Sequence, residues 1–345
     1  MKGFAIIGAG VLGRTIALEL LDRSHKVEIW DPFAKCGEGS TAYVAGGMLA
    51  PFSEREKGEP TNFQLGVDSL ELWPALAAKL DLASSFNMNG SLIVAHSRDH
   101  NLWLDVAEKV CDKISAELSE KVSVREYEPQ LAAKFHRGLF LPTEGHVDPR
   151  AFLQASYYRL LDLGARWHES KIELNDPVLK DFDHIIDCRG MGAYHDNEKL
   201  RGVRGEAIIV RAPEVEITRP IRIMHPRYSL YVVPRSQDQY YLGATQIENS
   251  SSAGITVRSA LELLSAAFSV HSGFAEAEIL ETCTGLRPAL FNNEPQIHIK
   301  GRHIAINGLY RHGFLMSPII SKFTCQYLFN EAIPELAHKI IKEDA

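Results

Sequence analysis

The sequence lacks the features of secreted, membrane-spanning and nucleic-acid-binding proteins. Its five cysteines are scattered over 345 residues without a CxxC pair, which indicates neither a disulfide framework nor a zinc site and favours a reducing cytoplasm. No apolar run reaches about eighteen residues, so no membrane span is predicted. The formal net charge of −7 gives no electrostatic reason to expect nucleic acid as a partner. The fourteen histidines form no metal-binding spacing with nearby acids, and we predict no metal site.

The first thirty or so residues have the pattern of a strand, a helix and a second strand. Between the first strand and the helix, GAGVLG places Gly8, Gly10 and Gly13 in GxGxxG spacing, and Asp31 ends the second strand. In a dinucleotide-binding unit these glycines permit a tight turn, close approach of a pyrophosphate and close helix–strand packing. The acidic residue accepts hydrogen bonds from the ribose. The pattern predicts dinucleotide binding and leaves NAD and FAD open.

Two further segments are rich in glycine. GEGSTAYVAGGMLAP (37–51) suits a loop held against a flat ligand, with Ser40 and Thr41 able to bond a phosphate; the alternative is a flexible connection. GLYRHGFLMSP (308–318) joins a strand pattern to a helix pattern. Arg311 and His312 therefore lie at a predicted helix N-terminus, where the dipole disfavours a cation and an anion is expected.

The rest of the chain alternates between helix and strand patterns. We predict one helix over 63–80, a helix that Asp148 caps, short strands within 203–245 and a strand near 277–286. GLRP is placed directly after that last strand. Its Arg287 is constrained between leucine and proline, and a guanidinium matches a carboxylate in bidentate geometry.

The sequence resembles the D-amino-acid-oxidase family of flavoproteins, particularly the glycine oxidases of the thiamine pathway. The resemblance is carried by five motifs in order: GAGVLG, STAYVAGGMLAP, LYVVPR followed by YLGAT, GLRP, and GLYRHGFLMSP. It implies FAD rather than NAD. It also implies noncovalent binding, because neither Cys36 nor Cys283 stands in a motif for covalent flavin attachment. Arg189, in DCRGMGA, departs from the family by replacing a small residue that is common there.

The resemblance implies an α/β fold with two interleaved domains. A Rossmann-like FAD-binding domain, with a doubly wound parallel sheet, would be assembled from 1–50, 145–202 and 285–345. An α+β substrate domain on a mainly antiparallel sheet would come from 51–144 and 203–284.

The resemblance also implies roles for individual residues. Arg287 looks like the arginine that binds the substrate carboxylate, Tyr231 like the tyrosine that hydrogen-bonds it, and Arg311 like the second arginine near substrate and flavin. The residues expected to contact FAD are Gly8, Gly10, Val11, Leu12, Gly13, Asp31, Ser40, Thr41, Gly46, Gly47, Met48, Leu49, Gly190, Gly308, His312, Gly313, Phe314 and Leu315.

The implied reaction is oxidative deamination of glycine or another small amino acid or amine. A neutral amine alpha to a carboxylate loses hydride from Cα to flavin N5, and the resulting imine is hydrolysed to an oxoacid and ammonia. This chemistry requires orientation and electrostatics more than a side-chain base. D-Amino-acid dehydrogenase and sarcosine oxidase activities stay open, as do an NAD-dependent dehydrogenase and a flavin-bound subunit without oxidase activity. The motifs do not indicate whether oxygen or another compound is the electron acceptor. They also do not indicate whether the chain forms a homo-oligomer.

Overall fold

The computed structural model describes residues 2–33, 37–55, 59–111, 120–225 and 229–343, so Cys36 lies outside the described residues. The strands are β1 (Gly3–Ile7), β2 (Lys26–Trp30), β3 (Met48–Leu49), β4 (Phe86–Asn87), β5 (Ser91–Ala95), β6 (Glu120–Ser123), β7 (Arg137–Leu141), β8 (Gly145–Val147), β9 (Arg166–His168), β10 (His184–Asp187), β11 (Arg201–Arg211), β12 (Ile221–Met224), β13 (Ser229–Pro234), β14 (Gln239–Gly243), β15 (Glu278–Ala289), β16 (Gln296–Lys300), β17 (His303–Asn307) and β18 (Ile341–Glu343). The α-helices are α1 (Val11–Asp22), α2 (Pro60–Leu70), α3 (Trp73–Lys79), α4 (His100–Cys111), α5 (Val124–Tyr127), α6 (Pro149–Asp162), α7 (Val257–Val270), α8 (Gly313–Leu328) and α9 (Glu335–Ile340). Short 3₁₀ helices lie at Ser97–Asp99, Pro129–Leu131, Pro177–Asp181, Gly190–Ala193 and Ser272–Glu276.

A seven-stranded sheet contains the N-terminal strand–helix–strand unit. Its order is β18-β16-β17-β10-β1-β2-β9, and the five strands from β17 to β9 run parallel. The last four residues of β1 are buried, as expected for a strand covered on both faces. Helices α1 and α8 pack against each other, and their apolar side chains belong to the main hydrophobic core. The predicted α/β class with a parallel sheet is confirmed.

A second, eight-stranded sheet has the order β15-β11-β14-β13-β12-β5-β7-β6. Its neighbours are antiparallel except for β5 and β12, which pair in parallel. Helix α7 packs on this sheet and begins after Thr256, whose side chain accepts a hydrogen bond from the Ser259 N–H. A three-stranded sheet, β3-β8-β4, completes the strand pairing. Among the helices of the described ranges, none has the length and apolar character needed to cross a bilayer.

Strand β15 differs from its prediction. GLRP does not follow the strand but lies inside it, because β15 continues to Ala289 and Arg287 pairs with Val203 of β11. Since β15 is at the edge of its sheet, Pro288 can stand there without its missing N–H breaking a ladder. The strand also crosses the domain boundary expected after residue 284. The division into two domains stays a prediction.

The helices show one confirmed cap and one wrong prediction. Asp148 caps α6 as predicted, since its side chain accepts from the backbone N–H groups of Arg150 and Ala151. The single helix predicted over 63–80 is two helices, α2 and α3. The break has a covalent cause: Pro74 lacks the N–H that would continue the helix by bonding the Leu70 carbonyl oxygen.

Helix α8 contains a proline whose missing donor is replaced by side chains. Pro318 cannot donate to the carbonyl oxygen of Phe314, and the Ser317 hydroxyl donates to that oxygen instead, at 3.2 Å. The next backbone N–H, of Ile319, donates to Ser69 Oγ of α2 at 3.3 Å. The first turns of α8 are therefore attached to α2 as well as to the rest of the helix.

Candidate active site

A cavity of about 470 Å³ lies beyond the carboxyl ends of the parallel strands. The last residues of β1, β2 and β17 contribute to its wall, as does the residue directly after β10: they are Ile7, Trp30, Asn307 and Cys188. Strands of the eight-stranded sheet form another part of the wall. Open α/β sheets bind their ligands at this edge, so the fold positions the cavity as a ligand site.

The three glycines of GAGVLG have three different surroundings. Gly8 has φ of +94°, and an added Cβ would lie 2.7 Å from the Cys188 carbonyl oxygen. A Cβ on Gly13 would lie 2.0 Å from the Gly8 carbonyl oxygen, so close packing of α1 requires glycine. At Gly10 an added Cβ meets no atom within 4 Å, and the residue lines the cavity. A ligand can therefore approach the backbone at Gly10, as a pyrophosphate does in dinucleotide sites.

Asp31 is fixed in the cavity wall at the end of β2. Its Oδ2 accepts from the Ala9 N–H at 2.7 Å, and its Oδ1 accepts from the Phe33 N–H at 2.8 Å. Each carboxylate oxygen keeps acceptor capacity for a further donor. The geometry fits the predicted hydrogen bonds to ribose hydroxyls.

The glycine-rich loop is attached to other parts of the site. The Ser40 hydroxyl donates to the Gly37 carbonyl oxygen at 2.7 Å, and the Thr41 hydroxyl donates to the Leu286 carbonyl oxygen of β15 at 2.7 Å. Both residues line the cavity, but their hydroxyl protons are used within the protein. Their contacts with a phosphate stay a prediction.

Most of the residues predicted to contact FAD line this one cavity. They are Gly8, Gly10, Val11, Leu12, Asp31, Ser40, Thr41, Gly46, Gly47, Met48, Gly190, His312, Gly313, Phe314 and Leu315. The cavity lining does not include Gly13, Leu49 or Gly308. Gly13 packs α1 against the loop. Leu49 follows Met48 in β3, so its side chain points away from the cavity side and is fully buried in the main core. Gly308 has φ of +84° and packs beside Leu290.

Arg189 and Cys283 have structural surroundings. Arg189 forms ion pairs with Asp187 and Asp196, each at 2.7 Å, so acids of the protein balance its charge. Cys283 is buried and does not line the cavity. Burial raises the pKa of its thiol to about 12, which keeps it protonated and unreactive. No group of side chains in the described ranges could hold a metal ion.

Arg287 extends across the neighbouring strand towards the cavity. Its Nη1 donates to the Thr245 carbonyl oxygen at 3.0 Å. A Cβ at Gly205 of β11 would lie 2.4 Å from Arg287 Nη2, so a side chain there would displace the guanidinium. Burial lowers the pKa of Arg287, but arginine stays protonated. Within the described part of the chain no acidic side chain lies at ion-pair distance from it, so the guanidinium is available to a carboxylate ligand.

Glu54 contacts the two other residues predicted to be catalytic. Its carboxylate accepts a hydrogen bond from the Tyr231 hydroxyl and forms an ion pair with Arg311. The side chains of Glu54 and Arg311 are 15% and 22% exposed. Burial alone would raise the pKa of Glu54, but Arg311, Arg222 and other neighbours lower it to about 2. Glu54 is therefore an anion at neutral pH. None of the motifs in the sequence pointed to Glu54.

The cation at the start of α8 is explained by this pair. His312 is buried, and burial followed by the charge of Arg311 lowers its pKa to about 4, so it is neutral. Arg311 carries the charge near the helix N-terminus. The anion that the dipole argument requires is Glu54, which the chain itself supplies.

A buried polar cluster holds the backbone next to Glu54. Glu144 accepts from the Ser53 N–H at 2.7 Å and from the hydroxyls of Ser53 and Ser91. Arg222 donates to the Ser53 carbonyl oxygen. Burial raises the pKa of Glu144 to about 7. The position of Glu54 is thus fixed by bonds to both backbone groups of the preceding residue.

Two tyrosines of the cavity wall were also missed. Burial raises the pKa of Tyr241 to about 12, so its hydroxyl stays protonated. Tyr310 has φ of +52°, and its buried hydroxyl has no hydrogen-bond partner among the described residues. An unpaired buried hydroxyl costs about 1–3 kcal/mol, which is a reason to expect a ligand near it. The sequence signal for Tyr241 was the strand pattern QYYLG, and the signal for Tyr310 was its place in YRHG, between a strand and a helix.

Comparison with known proteins identifies the family. Residues 4–327 match the model of the DAO family, described as FAD dependent oxidoreductase. Over 329 residues, 94% of this chain and 95% of the relative, the chain is 37% identical to a putative thiamine biosynthesis oxidoreductase ThiO of Rhizobium etli. It is 26% identical to a glycine oxidase of Geobacillus kaustophilus, covering 91% of this chain and 89% of that protein. The crystal structure of glycine oxidase from that organism superposes with a TM-score of 0.82 at 22% identity, over 96% of each chain.

These findings confirm the prediction of FAD over NAD. The residues of the cavity agree with such a cofactor: the backbone at Gly10 is open to a pyrophosphate, and Asp31 is fixed where a ribose acceptor is needed. The chain belongs to the DAO family of FAD dependent oxidoreductases.

Proposed function

We propose that the protein catalyses FAD-dependent oxidative deamination of glycine or another small amino acid or amine. The observation that carries the proposal is the Arg287 guanidinium, which faces the same cavity as the dinucleotide-binding loop and has no acidic partner in the described ranges. Such a guanidinium suits a substrate carboxylate. The names of the relatives, a glycine oxidase and a thiamine biosynthesis oxidoreductase, support this substrate class and a role in thiamine biosynthesis.

The residues that would hold FAD without a covalent bond lie along the cavity. The start of α1 at Gly10 would receive the phosphates and Asp31 the ribose, while Met48 and the start of α8 would lie beside the ring system. Helix α8 has no acidic residue in its first turn, so its N–H groups are available to an electron-rich ring.

Bound FAD supplies the acceptor for a hydride from the substrate Cα, and water converts the substrate imine to an oxoacid and ammonia. Arg287 binds the carboxylate and thereby fixes the direction of the Cα–H bond. Glu54, with a pKa of about 2, is too weak a base to take a proton at neutral pH. Burial keeps Tyr231 and Tyr241 protonated. None of these three residues is suited to take the amine proton, so in this proposal the substrate reacts with its amine already neutral.

A substrate screen tests the proposal. Purified protein is expected to carry FAD. Under anaerobic conditions, the visible absorbance of this flavin is expected to decrease when the substrate is added. Glycine, sarcosine, D-alanine, D-proline and small amines are compared by peroxide formation and by dye reduction. Peroxide identifies oxygen as the electron acceptor, whereas dye reduction alone indicates another acceptor such as a quinone. An FAD-loaded protein that none of these compounds reduces would refute the proposal.

We also propose the interleaved division into an FAD-binding domain and a substrate domain. The strands of the seven-stranded sheet support the first and those of the eight-stranded sheet support the second. A cytoplasmic location is supported by the free, buried cysteines among the described residues. Light scattering on the same preparation measures whether copies of the chain form a homo-oligomer.

A further inference from the structure

The substrate end of the cavity carries two guanidinium groups and one carboxylate, and these are paired unequally. Arg311 is in an ion pair with Glu54, and the Tyr231 hydroxyl donates to the same carboxylate. Arg287 donates to a backbone carbonyl oxygen and has no acidic partner in the described ranges. Of the two guanidinium groups that line this end of the cavity, Arg287 is therefore the one without a carboxylate partner among the described residues.

We propose that Glu54 is a specificity-determining residue, which restricts the site to amino acids with one carboxylate by occupying Arg311 and Tyr231. This inference rests on the proposed function, because it takes Arg287 as the group that binds the first carboxylate. A second substrate carboxylate would need another donor or cation. Arg311 and Tyr231 could serve in this way, but both already bond the Glu54 carboxylate.

The repulsion that excludes a second carboxylate comes from a fixed charge. Ser53, directly before Glu54, is held through its N–H by Glu144 and through its carbonyl oxygen by Arg222. Glu144, Ser53 and Arg222 are all fully buried or nearly so. Because the backbone before Glu54 is held in place, its carboxylate stays beside Arg311. A second substrate carboxylate would lie beside the like charge of Glu54 without a cation of its own, and an unpaired charge of this kind is a means of rejecting the wrong ligand.

Two other roles for Glu54 lead to different expectations. A proton acceptor would need a pKa nearer to neutral, and the surrounding cations lower that of Glu54 to about 2. A residue that only shapes the cavity would, when replaced by an isosteric neutral group, change the binding of monocarboxylates and dicarboxylates alike. The ratio of the two affinities therefore separates specificity from shape.

Ligand binding to the FAD-loaded enzyme measures this ratio without turnover. Acetate and malonate are titrated while the flavin absorbance is recorded, and the Kd of malonate is divided by that of acetate. The wild type is expected to prefer acetate. Glu54→Gln is expected to lower the ratio at least tenfold, because Arg311 then offers an uncompensated charge, while Glu54→Asp, which keeps the charge, stays near the wild type.

Glu331→Gln is the matched control. Glu331 forms a surface ion pair with Arg23 and does not line the cavity, so the same loss of charge there should leave the ratio unchanged. A second measurement compares kcat/KM for glycine and for iminodiacetate, which is glycine with an additional carboxymethyl group. Glu54→Gln is expected to raise the ratio of kcat/KM for iminodiacetate to kcat/KM for glycine at least tenfold.

Three results would overturn the inference. The first is an unchanged malonate-to-acetate ratio in a Glu54→Gln protein that binds FAD and acetate. The second is a Glu54→Asp protein that shifts as far as Glu54→Gln. The third needs no variant: a wild type that binds malonate as tightly as acetate. Failure of the proposed function is distinguishable, because it would appear as a wild type that selects acetate but oxidises no amino acid.

Discussion

Replacing Arg287 by methionine removes the guanidinium and keeps a side chain of similar length. A charge pair about 4 Å apart contributes about 4 kcal/mol at an effective dielectric constant of roughly 20. Because the cavity is partly open, we reduce this value to about 3 kcal/mol. Each 1.36 kcal/mol corresponds to about a factor of ten, so kcat/KM for glycine is expected to fall by roughly 100-fold.

The loss in Arg287→Met should raise KM, because the carboxylate is bound in the ground state, and should lower kcat, because Arg287 also orients the Cα–H bond. Steady-state peroxide or dye assays separate KM from kcat, and the visible spectrum reports FAD content. Arg211→Met is the control, because Arg211 pairs with Glu278 at the surface and does not line the cavity. An Arg287→Met protein that retains FAD and an unchanged kcat/KM would show that Arg287 does not bind the carboxylate.

Four further predictions concern glycine substitutions and pH. Gly10→Val is expected to keep the melting temperature but weaken FAD binding at least tenfold, because its side chain enters open space. Gly13→Ala, whose Cβ would lie 2.0 Å from a carbonyl oxygen, should cost about 1–3 kcal/mol of stability; equal melting temperatures would contradict this. Gly205→Ala should lower kcat/KM about tenfold by displacing the Arg287 guanidinium, with FAD content unchanged; an unaltered kcat/KM would refute that contact. Burial raises the pKa of Glu144 from 4.5 to about 7, so its stability contribution is present below pH 4.5 and lost as the pH rises through about 7. Over that pH range the free energy of unfolding of Glu144→Gln should therefore fall less than that of the wild type, by at most about 3 kcal/mol. Urea titrations that give both proteins the same dependence on pH would exclude this.

The parts of the molecule that were predictable from sequence depend on short-range patterns. The strand–helix–strand unit at the N-terminus and the cap at Asp148 need only neighbouring residues, and both are present. The glycines of GAGVLG could be assigned because backbone sterics restrict what can replace them. Where local signals conflict, prediction fails: apolar spacing favoured one helix over 63–80, but Pro74 broke it.

The parts that were not predictable depend on contacts between distant segments. Nothing near Glu54 in the sequence indicates that its carboxylate reaches Arg311 and Tyr231, which lie more than a hundred residues away. The extent of β15 was hidden for a similar reason, because pairing with β11 keeps the chain extended through Pro288. The unpaired Tyr310 hydroxyl is likewise visible only once the surrounding residues are packed.

The bond from Thr41 to the Leu286 carbonyl oxygen joins residues separated by 245 positions. During synthesis the loop that would receive the cofactor emerges long before the strand that completes its support. The Glu54–Arg311 pair forms later still in the order of the chain. A nascent chain can fold its first strand–helix–strand unit early, but the cavity wall is incomplete until the start of α8 has left the ribosome. FAD therefore has its full site only after the start of α8 has been synthesised.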